Sequence, residues 1–408
     1  MNARRSERLK HLASVAVSNV DKKSVDGEVS VQLCNYTDVY YNDTITADLA
    51  FMAATATPDQ VDRFSLRAGD VIITKDSETA ADIAVSAFVA EDLPGVVCGY
   101  HLAVVRPGRG IDPRYLYWCF ESSRLRESLS VEATGVTRFG LRSESIANVA
   151  VPVTDVTAQL SIANFLDSET ARIDALGASR LAMLPLLKER LTAAVDHALT
   201  AVNGRVTPLM RLVPDDRQIM YGIVLPGPNV EDGVPIVKGG DVGAGRLHPD
   251  VLAKTTQEIE APFARARLRR GDVLVAIRGS IGEGALVPPA LDGANITQDV
   301  ARVSPRAGIE SSWLLYALAS TQAAAQMASR TTGATIRGLN IWDLERITVP
   351  VPSAEDQRHV AVRLNARCAS YERSRTLLTE QIELLREHRQ ALITAAVTGE
   401  IDVTRKAS

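Results

Sequence analysis

The chain has 408 residues, 46% of them hydrophobic and 23% charged, a composition typical of a globular protein with two or three domains. Its net charge of −4 and pI near 6.0 exclude a uniformly basic nucleic-acid binder, although a local basic face is compatible with both. No apolar run approaches the ~18 residues of a transmembrane helix, and no signal peptide is recognisable. The four cysteines form no CxxC pair, so we expect neither disulfides nor a zinc site, and a cytoplasmic location.

In chain order, the first half predicts short buried strands at 70–74, 96–97 and 101–105 and then a helix at 111–129. The second half predicts a strand at 272–277 and a helix at 309–327. The strands that begin at Asp70 and Asp272 each follow a Gly-Asp turn, and both are rich in β-branched residues. The two halves therefore share one order of elements.

An internal repeat explains this shared order. Thr134-Gly135-Val136-Thr137 recurs 198 residues later as Thr332-Gly333-Ala334-Thr335. The same register relates Gly140-Leu141 to Gly338-Leu339, Val151-Pro152-Val153 to Val349-Pro350-Val351, and Gln159 to Gln357. Upstream, residues 66–71 resemble residues 268–273. An ordered series of matches over most of each half indicates a duplication.

The last quarter of each half predicts a long helix, because apolar side chains recur there at a spacing near 3.5 residues. The first stripe contains Ile162, Leu166, Ile173, Leu176, Met183 and Leu187, and the second contains Val360, Leu364, Tyr371, Leu378, Leu385 and Leu392. Pro185 predicts a kink in the first helix. We expect the two helices to pair as an antiparallel coiled coil with pseudo-twofold symmetry.

The C-terminal helix carries a resemblance to a known family. Residues 381–402 end in Ala-Val-Thr-Gly-Glu-Ile-Asp and resemble the distal conserved helix of the specificity (S) subunits of Type I restriction–modification systems. Three further segments are similar to that family: residues 349–358, residues 233–236 and the Gly-Ser-Ile-Gly turn at 279–282. The chain departs from the pattern at Pro185, in a degenerate helix end at 199–204, and at 76–78, where the first half lacks the Gly-Ser-Ile-Gly turn.

The resemblance implies an α+β fold of two tandem mixed α/β target recognition domains separated by long helices. The predicted domains are target recognition domain 1 at 1–153, a central conserved helical spacer at 154–203, target recognition domain 2 at 204–352, a distal conserved helical spacer at 353–402 and a C-terminal tail at 403–408.

It also implies a function without catalysis. Each target recognition domain would read one half of a bipartite, asymmetric DNA site, and the helices would set the distance between the halves. Two methyltransferase (M) subunits would dock on the chain, followed by an endonuclease/translocase (R) subunit. The cofactor S-adenosylmethionine would belong to the M subunits, and this chain would bind neither a cofactor nor a metal.

Candidate DNA-contacting residues follow from the chemistry of recognition, which uses Arg, Lys, Asn, Gln, Ser or Thr. The two Thr-Gly loops offer Thr134, Thr137, Arg138 and Arg142, and Thr332, Thr335, Arg337 and Asn340. After the Gly-Asp strands stand Lys75 with Ser77, and Arg278 with Ser280. The densest positive charge is the set Arg265, Arg267, Arg269 and Arg270, which also suits the exposed face of an ordinary strand. The loops, in turn, also suit tight connections with solvated arginines.

Enzyme classes find little support in the sequence. Neither an Asn-Pro-Pro-Tyr/Phe nor an Asp-Pro-Pro-Tyr loop for a flipped adenine occurs, and there is no Walker A loop. Pro249-Asp250 with Glu258 and Glu260 lacks the final lysine of a metal-dependent nuclease motif. Two other readings stay open: a coiled-coil scaffold that binds protein instead of DNA, and an orphan specificity module that serves another defence system.

Overall fold

A computed structural model describes residues 4–243, 246–331 and 338–403 of the chain. It divides into two compact units. Unit 1 comprises Met1–Arg180 and Glu380–Ser408, and unit 2 comprises Leu181–Thr379. Each unit therefore contains one mixed α/β region and a segment of each of two long helices.

Unit 1 is built on two small sheets. The five-stranded sheet has the order Ala13–Val17, Leu102–Pro107, Val71–Thr74, Ser86–Val89 and Thr44–Ile45, antiparallel except for the last pair. The three-stranded sheet has the order Met52–Ala56, Val29–Cys34 and Val96–Cys98. Two-stranded pairs join Arg5–Arg8 to Ala150–Val153 and Asp76–Ser77 to Phe139–Gly140. The shorter α-helices are Tyr36–Tyr40, Pro58–Phe64, Pro113–Glu121, Ser123–Glu132 and Ser143–Asn148.

Unit 2 repeats this construction with smaller sheets. An antiparallel four-stranded sheet has the order Met220–Tyr221, Val300–Val303, Val273–Ala276 and Gly284–Leu286. A three-stranded sheet has the order Lys254–Thr255, Val234–Val237 and Asn295–Ile296, and Arg205–Pro208 pairs with Thr348–Val351. The shorter α-helices are Gln257–Glu260, Ser311–Leu318, Thr321–Arg330 and Ile341–Leu344.

The two Gly-Asp turns are fixed by a buried carboxylate. Gly69 and Gly271 adopt positive φ angles of 87° and 84°, which glycine tolerates and other residues avoid. Each following aspartate then accepts a backbone N–H three residues earlier, at 2.9 Å for Asp70 and 2.7 Å for Asp272. Because a buried carboxylate must be paired, each also binds an arginine. These contacts explain why the same turn stands before a central strand in both halves.

The arginine that pairs with each buried carboxylate comes from a different element in the two units. Arg106 donates twice to Asp70, at 2.7 Å each. Its counterpart 198 residues later is Ser304, which donates to Asp272 at 2.7 Å. The positive charge comes instead from Arg217, 2.6 Å from Asp272.

Most predicted elements are confirmed, with one difference. The predicted helices at 111–129 and 309–327 are each two helices, broken at Ser122 and Ser320. Each serine caps the second helix, since its hydroxyl accepts the backbone N–H of Leu125 at 3.4 Å or of Ala323 at 3.2 Å.

The two long helices are the central helix, Val156–Thr200, and the distal helix, Ala354–Thr398. In unit 1, Ile162 and Leu166 of the central helix share one hydrophobic core with Ile393 and Val397 of the distal helix. In unit 2 a second core contains Val195 and Leu199 of the central helix together with Val360 and Leu364 of the distal helix. The predicted mixed α/β fold with paired long helices is thus confirmed, whereas the kink at Pro185 and the domain boundaries stay predictions.

All four cysteines are free thiols. Cys34, Cys98 and Cys119 are buried, and burial raises the pKa of the Cys119 thiol to about 12, whereas Cys368 is half-buried. Among the helices of the described residues, none combines the length and the apolarity needed to cross a membrane.

Candidate nucleic-acid interface

Unit 1 gathers charged side chains where the strand Val71–Thr74 ends. Asp76 lies at the centre, because its Oδ2 accepts from Lys75 Nζ at 2.6 Å and contacts His101 Nδ1 at 2.8 Å. Arg138 extends the cluster, with its Nη2 3.2 Å from both ring nitrogens of His101. We call Lys75, Asp76, His101 and Arg138 the unit 1 edge.

Burial and neighbouring charges set the protonation of this edge. Burial lowers the pKa of His101, and the Arg138 charge adds to the effect, against the hydrogen bond to Asp76. Burial works against ionisation of Asp76, but hydrogen bonds from His101 and Lys75 outweigh it and hold the pKa of the carboxyl below its usual range. At neutral pH the edge therefore combines the basic side chains of Lys75 and Arg138 with a carboxylate and a neutral imidazole that can both donate and accept.

The Thr-Gly loop of unit 1 projects beside this edge. Thr134 and Gly140 close it by exchanging two backbone hydrogen bonds, of 3.1 and 2.9 Å. Gly135 is required there, since its φ is 148° and a Cβ would approach the Arg138 carbonyl oxygen to 1.9 Å. Thr134, Thr137 and Arg138 are all exposed. Donors thus face solvent from a loop held to the sheet.

The other two unit 1 candidates lie differently. Arg142 is exposed but precedes the next helix, Ser143–Asn148. Ser77 is buried in the short pair with Phe139, so it supports the edge from behind. A side chain that is 6% exposed cannot reach a groove.

Aromatic rings complete the unit 1 surface, which sequence reasoning did not foresee. Tyr36 and Tyr40 stack at 5.3 Å between ring centroids, and Tyr40 meets Tyr41 edge to face at 5.2 Å. Tyr100 lies against His101, with ring centroids 3.6 Å apart. Tyr36 and Tyr40 are half-buried, whereas Tyr41 is 77% exposed. The spacing Tyr36-x₃-Tyr40 at one turn of a helix was the available signal.

The corresponding edge of unit 2 carries Arg278 and Ser280, both exposed. Arg278 stands opposite Gly338 and has Asp299 as a loose partner at 3.7 Å. Asn340 is exposed at the start of the helix Ile341–Leu344, and its amide lies 3.5 Å from Asp343. Thr332, Thr335 and Arg337 fall outside the described residues.

The repeat places unlike charges at equivalent positions of the two edges. Asp76 pairs with Gly140, and Arg278 with Gly338, so the counterpart of Arg278 is Asp76 and not its neighbour Lys75. Likewise, the His101 carbonyl accepts the Lys75 N–H at 3.0 Å, while the Asp299 carbonyl accepts the Ile277 N–H at 2.9 Å. Asp76 beside His101 in unit 1 thus corresponds to Arg278 beside Asp299 in unit 2.

The arginine cluster of unit 2 does not lie on a strand. Residues 261–266 form a 3₁₀ helix that contains Pro262, and residues 267–270 are irregular, so the strand alternative was wrong. Arg267 is held by Glu260 through two hydrogen bonds, of 2.7 and 2.6 Å. Within the described residues, the side chains of Arg265, Arg269 and Arg270 have no ion-pair partner and are exposed. Three of the four arginines are therefore available to a ligand.

Buried Arg302 supports this segment from below. Its two terminal nitrogens donate to the carbonyls of Arg265 at 2.6 Å and Gln218 at 2.7 Å. Burial, with the nearby Arg217 charge, lowers the pKa of Arg302 to about 10, and the side chain stays charged at neutral pH.

Comparison with known proteins shows which proteins the chain resembles. No family profile matches the chain. The Type I restriction enzyme EcoBI specificity subunit of Escherichia coli is 26% identical over 309 residues, which is 67% of this chain and 63% of that protein. The match thus covers less than two thirds of the relative's own length.

Two solved chains share the fold. One, from a structural study of complex assembly and conformational transition of the type I R-M system, has a TM-score of 0.75 at 17% identity and covers 98% of this chain and 99% of that chain. The HsdS subunit from Thermoanaerobacter tengcongensis has a TM-score of 0.56 at 18% identity, with 97% of both chains covered.

The fold is therefore that of a protein with tandem mixed α/β units carried on long helices. More particularly, the chain is similar in sequence to a Type I restriction enzyme specificity subunit, and the resemblance drawn from its sequence is confirmed.

Proposed function

We propose that this chain is the DNA-sequence-reading subunit of a Type I restriction–modification complex, and that each unit reads one half of a bipartite, asymmetric site. The observation that carries the proposal is the pair of equivalent edges with different chemistry: Asp76 with His101 in unit 1, Arg278 with Asp299 in unit 2. Identical units would favour a palindrome. Unlike edges on a shared framework favour two unlike half-sites.

The chemistry of the edges suits groove recognition. A guanidinium such as that of Arg278 can donate two hydrogen bonds to guanine O6 and N7, and a Thr or Ser hydroxyl can serve either purines or pyrimidines. Arg265, Arg269 and Arg270, which have no ion-pair partner in the part of the chain that the structure describes, fit phosphates, and such contacts fix register without reading sequence. Local positive charge thereby offers an acidic chain a way to bind a polyanion.

The proposal assigns catalysis to partner subunits. Two methyltransferase subunits would dock on the chain and supply S-adenosylmethionine and the adenine chemistry, and an endonuclease/translocase subunit would join them. Homology to the E. coli specificity subunit supports this assignment. The chain itself would bind no cofactor and no metal.

Sequencing of DNA methylation tests the proposal. The chain would be expressed with its cognate methyltransferase subunit in a host that lacks other methyltransferases, and omission of the chain is the control. We expect methyladenine in each half of a split, asymmetric motif, and only when the chain is present. Methylation that occurs without the chain would overturn the proposal. So would the absence of chain-dependent methylation when the partner complex is demonstrably active. Either result would favour a protein-binding scaffold or an orphan module.

An exchange of one unit sharpens the test. Replacing residues 206–345 with the corresponding segment of a relative should change one half of the motif and leave the other half unaltered. A change in both halves would contradict independent reading by the two units.

A further inference from the structure

Unit 2 contains a cavity between the two long helices, lined by both apolar and polar side chains. It measures about 190 Å³ and is lined by Leu187, Arg190, Leu191 and Ala194 of the central helix and by Arg367, Ser370, Tyr371 and Ser374 of the distal helix. Arginine from each helix thus faces one space together with three hydroxyl groups.

Positive charge in this cavity is uncompensated. No acidic side chain lines it, and in the described part of the chain neither Arg190 nor Arg367 forms an ion pair. Other arginines of the distal helix do have partners: Arg375 pairs with Glu372, and Arg386 pairs with Glu383, both at 2.8 Å. Within the described residues, the two guanidinium groups of the cavity therefore have no carboxylate partner.

The repeat provides an internal control for this feature. The residues 198 positions away from Arg190, Arg367, Ser370 and Ser374 are His388, Glu169, Arg172 and Leu176. If paired arginines were needed to join the helices, the first repeat should keep them, and it does not. Helix pairing is therefore not the reason for Arg190 and Arg367.

Charge along the distal helix points the same way. Residues 358–375 contain five arginines and a single acid, Glu372. The equivalent residues 160–177 contain one arginine, Arg172, and three acids, Asp167, Glu169 and Asp174. Segments related by duplication thus carry charge of opposite sign, and the cavity lies within the positive one.

We propose that this cavity binds a phosphate group. Two guanidinium groups can each grip a phosphate with parallel N–H donors, and the hydroxyls of Ser370, Tyr371 and Ser374 can donate to its remaining oxygens. A carboxylate offers only two oxygens to five such groups, whereas a phosphate offers three or four. The phosphate can come from free phosphate or from a DNA backbone. This inference does not rest on the proposed function, and either can fail alone.

Binding of inorganic phosphate to the full chain tests the proposal. The thermal midpoint of unfolding would be followed against phosphate at constant ionic strength, with chloride as the balancing anion, and a dissociation constant would follow from the rise. The double variant Arg190→Gln/Arg367→Gln should bind phosphate about tenfold or more weakly, since it loses both charged donors. The matched control Arg363→Gln/Arg373→Gln removes the same charge from exposed positions outside the cavity and should bind as the wild type does.

The outcomes separate clearly. Equal phosphate response in both double variants, or none in the wild-type chain, would overturn the proposal. If phosphate binds as proposed, a second experiment with duplex DNA identifies whether the bound phosphate comes from solution or from a DNA backbone. Displacement of phosphate by the duplex, with a lower salt dependence of duplex binding in Arg190→Gln/Arg367→Gln, assigns the site to the DNA backbone. Phosphate binding that the duplex leaves unchanged assigns it to free phosphate.

Discussion

The backbone N–H and the hydroxyl of Thr321 both donate to the carboxylate of Asp196, at 2.9 and 2.5 Å. In unit 1 the Ser123 N–H donates in the same way to Thr394 Oγ1, at 3.1 Å. Thr321 follows Ser123 by 198 residues, and Thr394 follows Asp196 by 198. In each repeat, the start of a short helix is therefore hydrogen-bonded to the long helix of the other repeat. The acceptor is Thr394 in unit 1 and Asp196 in unit 2.

Removal of the Asp196 acceptor should destabilise unit 2. We expect Asp196→Ala to lower the free energy of unfolding by about 1 kcal/mol, because the first turn of the helix Thr321–Arg330 loses a side-chain acceptor for its N–H groups. Asp196→Thr should lose less, since Thr394 serves this purpose in unit 1. Urea unfolding measures both, and equal losses in the two variants would contradict a shared role.

Local patterns made much of this fold predictable. The Gly-Asp turns, the buried strands that follow Asp70 and Asp272, and the long helices all depend on residues close in sequence, and all were found. The breaks at Ser122 and Ser320 were missed because each lies in a short polar step between two apolar stretches that together fit one helix.

The candidate site was less accessible to sequence reasoning. The contact of His101 with Asp76 joins residues that lie 25 positions apart, and no local pattern in the sequence predicts it. The hydrogen bonds between Arg267 and Glu260 depend on the 3₁₀ helix between these residues, and the periodicity of the sequence does not predict that helix. Such pairings depend on tertiary placement, which one sequence does not reveal.

The buried Glu260 predicts an acid-dependent loss of stability. Hydrogen bonds from Arg267, and a further one from Asn295 at 2.9 Å, hold the pKa of Glu260 below its ordinary value of 4.5 despite burial. Its contribution is therefore full above about pH 4.5 and is lost as the pH falls through the lower, folded-state value. Glu260→Gln should be less stable than wild type at pH 7, and the difference should vanish in acid. A difference that does not change with pH would refute this assignment.

His101 predicts a second pH dependence of stability, in a higher pH range than that of Glu260. Burial lowers its pKa below the ordinary 6.5, so the unfolded chain binds more protons than the folded chain just below neutrality. Stability should fall as the pH drops from 7 through 6.5, and His101→Gln should flatten that slope. His359→Gln, at an exposed position of the distal helix, is the matched control. Unfolding midpoints between pH 5.5 and pH 7.5 decide the question, and equal slopes in all three chains would count against it.

The Thr-Gly loop of unit 1 can be distorted by one methyl group. Gly135→Ala places a Cβ against the Arg138 carbonyl, so the exposed loop must change its course. We expect weaker DNA binding, by about tenfold or more, with little change in the unfolding midpoint. Gly110→Ala provides the control, since Gly110 also has a positive φ, of 92°, but open space around it. Unchanged binding by Gly135→Ala would remove the loop from the interface.

Arg278 and Arg267 should separate recognition from stability. Arg278 is 51% exposed and loosely held by Asp299, whereas Arg267, equally exposed, is fixed by two short bonds to buried Glu260. Arg278→Ala should therefore weaken binding by about 1–3 kcal/mol and relax the preference for one base pair in the half-site of unit 2. Arg267→Ala should lower stability and leave base preference intact. Competition between duplexes that differ at single base pairs measures both effects. The opposite result would be relaxed specificity in Arg267→Ala and wild-type specificity in Arg278→Ala. It would assign base recognition to residues 267–270 instead of the residues that follow the strand Val273–Ala276.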